Sequence, residues 1–293
     1  LAVNEFNSKR GFTDENGDDV DWIEVFNYSS DSVFLADYFL SDNPDNLDKW
    51  QFPNTYLGSQ ELITICASGR EYAKFPNHWE ALVLADQIWK YWNGSSPPTN
   101  YNDWNQLGYN DQSWNSGQGG IGYGDNDDNT TIAATPSILI RKELQIVDIQ
   151  DITHLLFHAD YDDGFIAYLN GVEIMRSDNF ASATPAYNEF TTVDKEAVLY
   201  SGGIPESQLF DTEAVQDLLL SGTNVLAVRV HNASANSSDM SSNFYLSAGI
   251  ASTNFSYQNI PSWIQTPLIL PHADFKLSHG ETICISDSNE ALL

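Results

Sequence analysis

Basic residues are scarce in this sequence. Twelve lysines and arginines stand against 41 aspartates and glutamates in 293 residues, a net charge of −29. A field of that sign repels phosphate backbones and anionic bilayers, which argues against nucleic acid as a partner. Cysteine is nearly absent too: Cys66 and Cys284 are the two in the chain. Two thiols make no disulfide framework, and neither stands beside a catalytic-looking histidine, so nucleophilic cysteine chemistry is not expected. No run of 18 apolar residues exists, so no helix is expected to span a membrane. Internal repeats of solenoid period are missing. So are Gly-x-Ser-x-Gly, His-Glu-x-x-His, Gly-Lys-Ser/Thr and any Gly-x-Gly-x-x-Gly that enters a helix. Paired carboxylates for glycoside hydrolysis stay open, because any two acids can meet in space.

What is present suits packed cores. Aromatic residues make up 13% of the chain and charged residues only 18%. The length allows two domains, or one with a large insertion. The clearest local signal is Asp162-Asp163-Gly164 followed by Phe165 to Leu169, Asn170-Gly171 and Val172 to Ile174. Asp-Asp-Gly reads as a tight turn, and Asn-Gly supplies the positive φ values of a two-residue type I′ hairpin. On that basis Gly171→Val should be costly and Asn170→Gly cheap. Thr153 to Asp160 alternates, with Leu155, Phe157 and Ala159 on one face and His154, Leu156, His158 and Asp160 on the other. Asn224 to Val230 and Ile138 to Leu144 read as further strands, and Asp211 to Leu220 has helical spacing at Ala214, Val215, Leu218 and Leu219.

This order of elements resembles the galactose-binding-like jelly roll, a sandwich used as an accessory module in secreted carbohydrate-active enzymes. The resemblance implies binding rather than catalysis. A second resemblance rests on Val3-Asn4-Glu5-Phe6, Asp21 to Asn27, Leu40-Ser41-Asp42, Lys49 to Pro53 and Ile65 to Arg70. In order, these are similar to a lamin-tail domain of the bacterial extracellular kind, an Ig-like sandwich. Its missing last strands resemble His272 to Ser278 and Gly280 to Asp287 at the other end of the chain. The expected fold is therefore all-β, with a jelly roll at 80–262 inserted into a discontinuous lamin-tail sandwich of 1–79 plus 263–293. The alternative is a truncated second lamin-tail domain, which two strands are too few to support alone. If the insertion holds, Cys66 and Cys284 share one domain; whether they pair stays open.

Candidate sites follow from composition. Gly122 to Asn129 alternates carboxylates and amides on a Gly-flanked loop, as a hard cation requires, and Asp125, Asp127 and Asp128 are the candidate ligands of a structural calcium. The plain alternative is an Asx-rich surface turn. The same alternatives hold for Asp14 to Asp18. Exposed aromatic faces stack on pyranose rings, so Trp92, Trp104, Trp114 and Tyr123 are candidate sugar platforms, with Asp163, Arg176 and His231 reaching hydroxyls. Core packing competes with that reading at each position. His154 and His158 share a strand face about 13 Å apart, too far for joint ligation, and read as solvent-facing.

The reading is a monomeric, non-catalytic region of a secreted or cell-surface protein. Its expected partners are polysaccharides or glycoprotein glycans. Further domains of the parent chain are expected, since Leu1 lacks a leader and Leu293 ends without a polar tail. A purely structural or adhesive spacer is the alternative, and a hydrolase the third.

Overall fold

The structure is a computed structural model that describes residues 1–70, 75–124 and 128–293. The chain is all-β and divides into two compact units, 1–77 with 266–293, and 78–265.

The first unit is built on a four-stranded sheet in the order Ala2–Thr13, Asp19–Phe26, Leu62–Ala67, His272–Ala273. Alternation in Asp19–Phe26 sends Ile23 and Val25 into the core, while Trp22, Glu24 and Phe26 stay partly exposed. Cys284–Asp287, Tyr38–Ser41 and Trp50–Gln51 form a separate three-stranded sheet. The core between these layers holds Ile23, Val25, Leu35, Leu40, Trp50, Phe52, Ile65, Phe275 and Ile285. The stretch from Val33 to Leu40 is not one strand. Val33–Phe34 is followed by a 3₁₀ turn at Leu35–Asp37 and then by Tyr38–Ser41. In one unbroken strand Leu35 and Leu40, five residues apart, would face opposite sides; the turn lets both reach full burial.

The returning segment is sewn in by backbone. His272–Ala273 lies parallel to Leu62–Ala67, with His272 opposite Cys66. Cys66 N donates to Pro271 O at 2.9 Å, Gly69 N to Phe275 O at 3.0 Å, and Leu277 N to the Asp21 carboxylate at 3.1 Å. Cys66 and Cys284 are both free, buried thiols on different sheets.

The second unit packs two antiparallel sheets face to face. One has the order Asn115–Gln118, Ile88–Asn93, Ser137–Ile146, Gly222–His231, Gly164–Leu169, Val172–Arg176. The other runs Glu206–Phe210, Ile152–Tyr161, Ser242–Ile250, His78–Val83, Gln258–Asn259. Phe157, Phe165 and Phe244 meet between them, with ring centroids 5.6–6.3 Å apart. Every residue of Ile152–Tyr161 is buried, so its outer face is covered as well. That corrects the reading of His154 and His158 as solvent-facing. Trp263 lies across His158 at 5.3 Å, and burial pushes the His158 imidazole down to about 4. The helix Thr212–Leu218 starts at an Asp211 N-cap, whose carboxylate accepts from Ala214 N, and it buries Val215 and Leu218.

Asp162-Asp163 closes no hairpin. It carries the chain from Ile152–Tyr161 in one sheet to Gly164–Leu169 in the other. Asn170-Gly171 does form a two-residue hairpin, with Leu169 opposite Val172, and φ is 53° at Asn170 and 89° at Gly171. Asn170 does more than turn. Its amide donates to Leu218 O and Asn224 Oδ1, and its carbonyl accepts from Val225 N. The expectation that Asn170→Gly would be cheap therefore changes. With about 1 kcal/mol for each hydrogen bond, Asn170→Gly should cost roughly 2–3 kcal/mol. Gly171→Val should cost roughly 1–3 kcal/mol from backbone strain. Urea unfolding of the two variants beside wild type checks this; a neutral Asn170→Gly would show the side-chain bonds to be without weight.

Candidate functional site

Two features of the second unit have the chemistry of a site. The first grows from the crossover at Asp162-Asp163. Asp163 turns toward the backbone: Oδ1 accepts from Lys195 N at 2.8 Å and Oδ2 from Ala233 N at 2.7 Å. That carboxylate is a clip between two loops, not a group offered to a sugar. Asp162 joins a different set. One carboxylate oxygen from each of Asp162, Glu196 and Asp239 lies within 4.8 Å of the others. Burial, then the charges of Asp163, Asp239 and Glu196, push the Asp162 carboxyl up to about 9.

The Gly-rich loop lies against this cluster. Tyr123 and Met240 exchange backbone hydrogen bonds at 3.1 and 2.9 Å, strapping the loop to the segment that carries Asp239. A Cβ on Gly122 would sit 1.8 Å from Met240 O and 2.3 Å from Asp128 Oδ1. Only glycine permits that approach. Asp128 is therefore beside the strap, whereas Asp125 and Asp127 lie outside the described residues. Among the described residues the carboxylates that converge here are Asp162, Glu196 and Asp239. Glu196 and Asp239 carry no local sequence signal; each sits in an ordinary polar loop, and only the fold brings them to Asp162. Burial raises the Tyr123 hydroxyl, which accepts from Asn232 and feels the charges of Asp162 and Asp239.

The second feature is on the outer face of the six-stranded sheet. Ile138 and Ile140 point inward, so Leu139 and Arg141 point out, and the excursion through residues 95–114 covers them. Trp104 stacks on Trp114 at 6.4 Å, Trp92 and Tyr109 pack on Trp114 at 6.1 and 5.7 Å, and Tyr168 meets Trp104 edge-on. Trp104 and Trp114 are each 4% exposed. They are a satellite core rather than open platforms for sugar, because the sheet's second apolar face has to be covered. Trp92 is half-buried and donates Nε1–H to Ser96 O at 2.7 Å.

Arg141, 1% exposed, anchors the cover. Nε donates to Asp111 Oδ2 at 2.9 Å, Nη1 donates to the carbonyls of Trp104 and Gln106, and the Tyr109 ring lies 5.2 Å from the guanidinium carbon. Above it the excursion forms an open cleft of about 790 Å³ lined by Thr99, Asn100, Asp103, Gln106, Tyr109 and Gln112, among others. Its wall is mostly amide and hydroxyl, with the Asp103 carboxylate, Leu107 and the Tyr109 ring.

The other two expected ligand-binding residues are scaffold. His231 is fully buried, bonds Glu189 O through Nδ1 at 2.6 Å, and is pushed down to about 4 by burial. Arg176 is held by both carboxylate oxygens of Glu173, at 2.5 and 2.6 Å, and donates to Ala183 O. The seven expected residues do not form one pocket.

No protein-family profile matches the chain, and no curated protein does. Among solved structures it is similar to a Bacteroides uniformis beta-glucuronidase at 13% identity and a TM-score of 0.37, over 58% of this chain and 18% of that one. A beta-glucuronidase from an uncultured Clostridium sp. is 14% identical with a TM-score of 0.37, over 59% and 29% of the two chains. A beta-glycosidase from Bacteroides vulgatus is 13% identical with a TM-score of 0.33, over 58% and 20%. The matched part thus spans under a third of each of these longer proteins.

The crowded carboxyl of Asp162 has a pH signature. Its folded pKa, about 9, lies above the ordinary 3.8. Between those values the folded state binds more proton than the unfolded one, so the contribution to stability falls as pH rises. In chelator, Asp162→Asn should therefore flatten the decline in melting temperature between about pH 4 and pH 9. Parallel melting curves for the variant and wild type across that range would remove Asp162 as the titrating group.

Proposed function

We propose that this chain is a non-catalytic, glycan-binding accessory region of a secreted or cell-surface protein. In this reading the second unit is a galactose-binding-like jelly roll that presents the ligand site. The first is its lamin-tail-like host. The observation that carries the reading is the polar cleft over the Arg141 anchor. Pyranose hydroxyls are met by planar amides and hydroxyls, and their apolar faces by an aromatic ring. Asn100, Gln106, Gln112, Thr99 and Tyr109 supply that set on a loop held rigid from beneath. Preorganisation of this kind lowers the ordering cost of binding.

Calcium fits the same unit. Three carboxylate oxygens within 4.8 Å of one another, one of them on an Asp162 that burial and the neighbouring carboxylates hold protonated, are the donors a hard dication takes. Asp162, Glu196 and Asp239 would hold it, and the ion would supply the positive charge their mutual repulsion lacks. Its role is structural: it ties the crossover to two loops.

Polysaccharide pull-down on a glycan panel tests the binding reading. Asp103→Ala with Gln112→Ala should lower retention of the bound glycan at least about tenfold, with no change in melting temperature. Failure of every glycan to bind, or retention untouched by both substitutions, would favour the spacer reading instead. For calcium, saturation at about 100 times Kd should add about 2.7 kcal/mol, and Asp239→Asn should remove that response. Identical melting in calcium and in chelator would eliminate the ion.

A further inference from the structure

The first unit has a polar cluster that the glycan reading does not use. The hairpin loop between Ala2–Thr13 and Asp19–Phe26 closes on Asp14, whose Oδ1 accepts from Asn16 N and Asp18 N at 3.0 Å each. The next side chain, Glu15, is folded under the loop and is only 2% exposed. There it meets His272, which arrives on the returning strand and is wholly buried. The two parts of the sequence are far apart, and the parallel pairing of His272 with Cys66 fixes where the imidazole lies.

The geometry around the imidazole is specific. Nδ1 is 2.8 Å from Ser68 Oγ. Nε2 faces the Glu15 carboxylate, 3.0 Å from Oε1 and 3.3 Å from Oε2. Oε2 is placed for a hydrogen bond; the nearer Oε1 is sealed from solvent and makes none. A buried carboxylate oxygen with no donor is costly. One donor atom from each of Asp14, Glu15 and His272 lies within 4.8 Å of the others.

We propose that Glu15, His272 and Asp14 form a binding site for a divalent transition-metal ion, with zinc as its natural representative. Tetrahedral zinc with bonds of about 2.0–2.1 Å separates its ligand atoms by about 3.3 Å, which lies within the spread of this cluster. The mixed nitrogen and oxygen set favours such a metal over calcium, which takes oxygens alone. A metal between Nε2 and Oε1 gives the orphaned oxygen its partner. Ser68 then acts as the outer hydrogen-bond partner that orients a ligating imidazole through its other nitrogen. Arg70, whose guanidinium contacts Asp14 Oδ2, competes for that ligand and is exposed enough to withdraw. The site lies in a different unit from the glycan cleft and the calcium cluster, so it stands or falls apart from them.

Isothermal titration of the whole chain with zinc, calcium being present in excess, tests the site. Wild type should bind one zinc ion at this cluster. Glu15→Gln, which keeps the shape of the side chain, should weaken it at least about tenfold. Glu143→Gln, at an exposed position of the other unit, should leave zinc affinity unchanged. Circular dichroism first establishes that each variant is folded. If Glu15→Gln does not fold, cobalt-loaded wild type decides. A visible absorption band abolished by one equivalent of zinc supports the site, and no band overturns it. No saturable zinc uptake, or equal affinity in folded Glu15→Gln, also overturns it.

Discussion

The open cleft of the second unit depends on one buried guanidinium. An unpaired charge in a protein interior costs several kcal/mol, and Arg141 is paired through Nε with the Asp111 carboxylate and through Nη1 with the carbonyls of Trp104 and Gln106, while Nη2 is buried without a partner. The dependence runs both ways. The carbonyls come from the excursion that Arg141 holds down, and the excursion excludes water from Arg141. Strand geometry forces the arrangement. Ser137–Ile146 needs Ile138 and Ile140 in the main core, so Leu139 and Arg141 must point away from it. Something must then cover the second face, and the tryptophans at 104 and 114 do so. Aromatic residues that look like ligand platforms in a sequence are here the floor beneath one.

Acidity is handled differently at different carboxylates. Asp163 and Asp160 accept backbone amides, from Lys195 and Ala233 and from Val198 and Leu199. Glu80 accepts from Ser256 and Tyr257. These are structural bonds between loops and strands, strengthened by charge. Asp162 and Glu15 instead face other side chains of ligand type, Glu196 and Asp239 for the one and His272 for the other. In a chain of net charge −29, the informative acids are the few whose surroundings do not neutralise them.

Much of the fold is readable from local pattern. The Asn170-Gly171 hairpin, the Asp211 cap and the alternation in Asp19–Phe26 are set by neighbours within a few residues. The sites are not. Asp162 meets Glu196 and Asp239, and Glu15 meets His272, only after crossovers that no periodicity encodes. The burial of His158 under Trp263 is similarly invisible, because strand alternation reports two faces without saying what covers each. Of the three expected calcium ligands, Asp125 and Asp127 lie outside the described residues and Asp128 lies beside Gly122.

Glu80 also bears on how the chain becomes a folded object. Its buried carboxylate holds Ser256 and Tyr257 against His78–Val83, and Gln258–Asn259 pairs with Glu80 and Ala81. The two ends of the second unit are therefore neighbours once that unit is formed. Before then, the halves of the first unit are joined by a long flexible chain, whose closure entropy opposes the pairing of Leu62–Ala67 with His272–Ala273. A folded guest shortens that connection to a clamp. On a ribosome the order is dictated: residues 78–265 are complete before 266–293 emerge, so the second unit has its whole sequence before the first does.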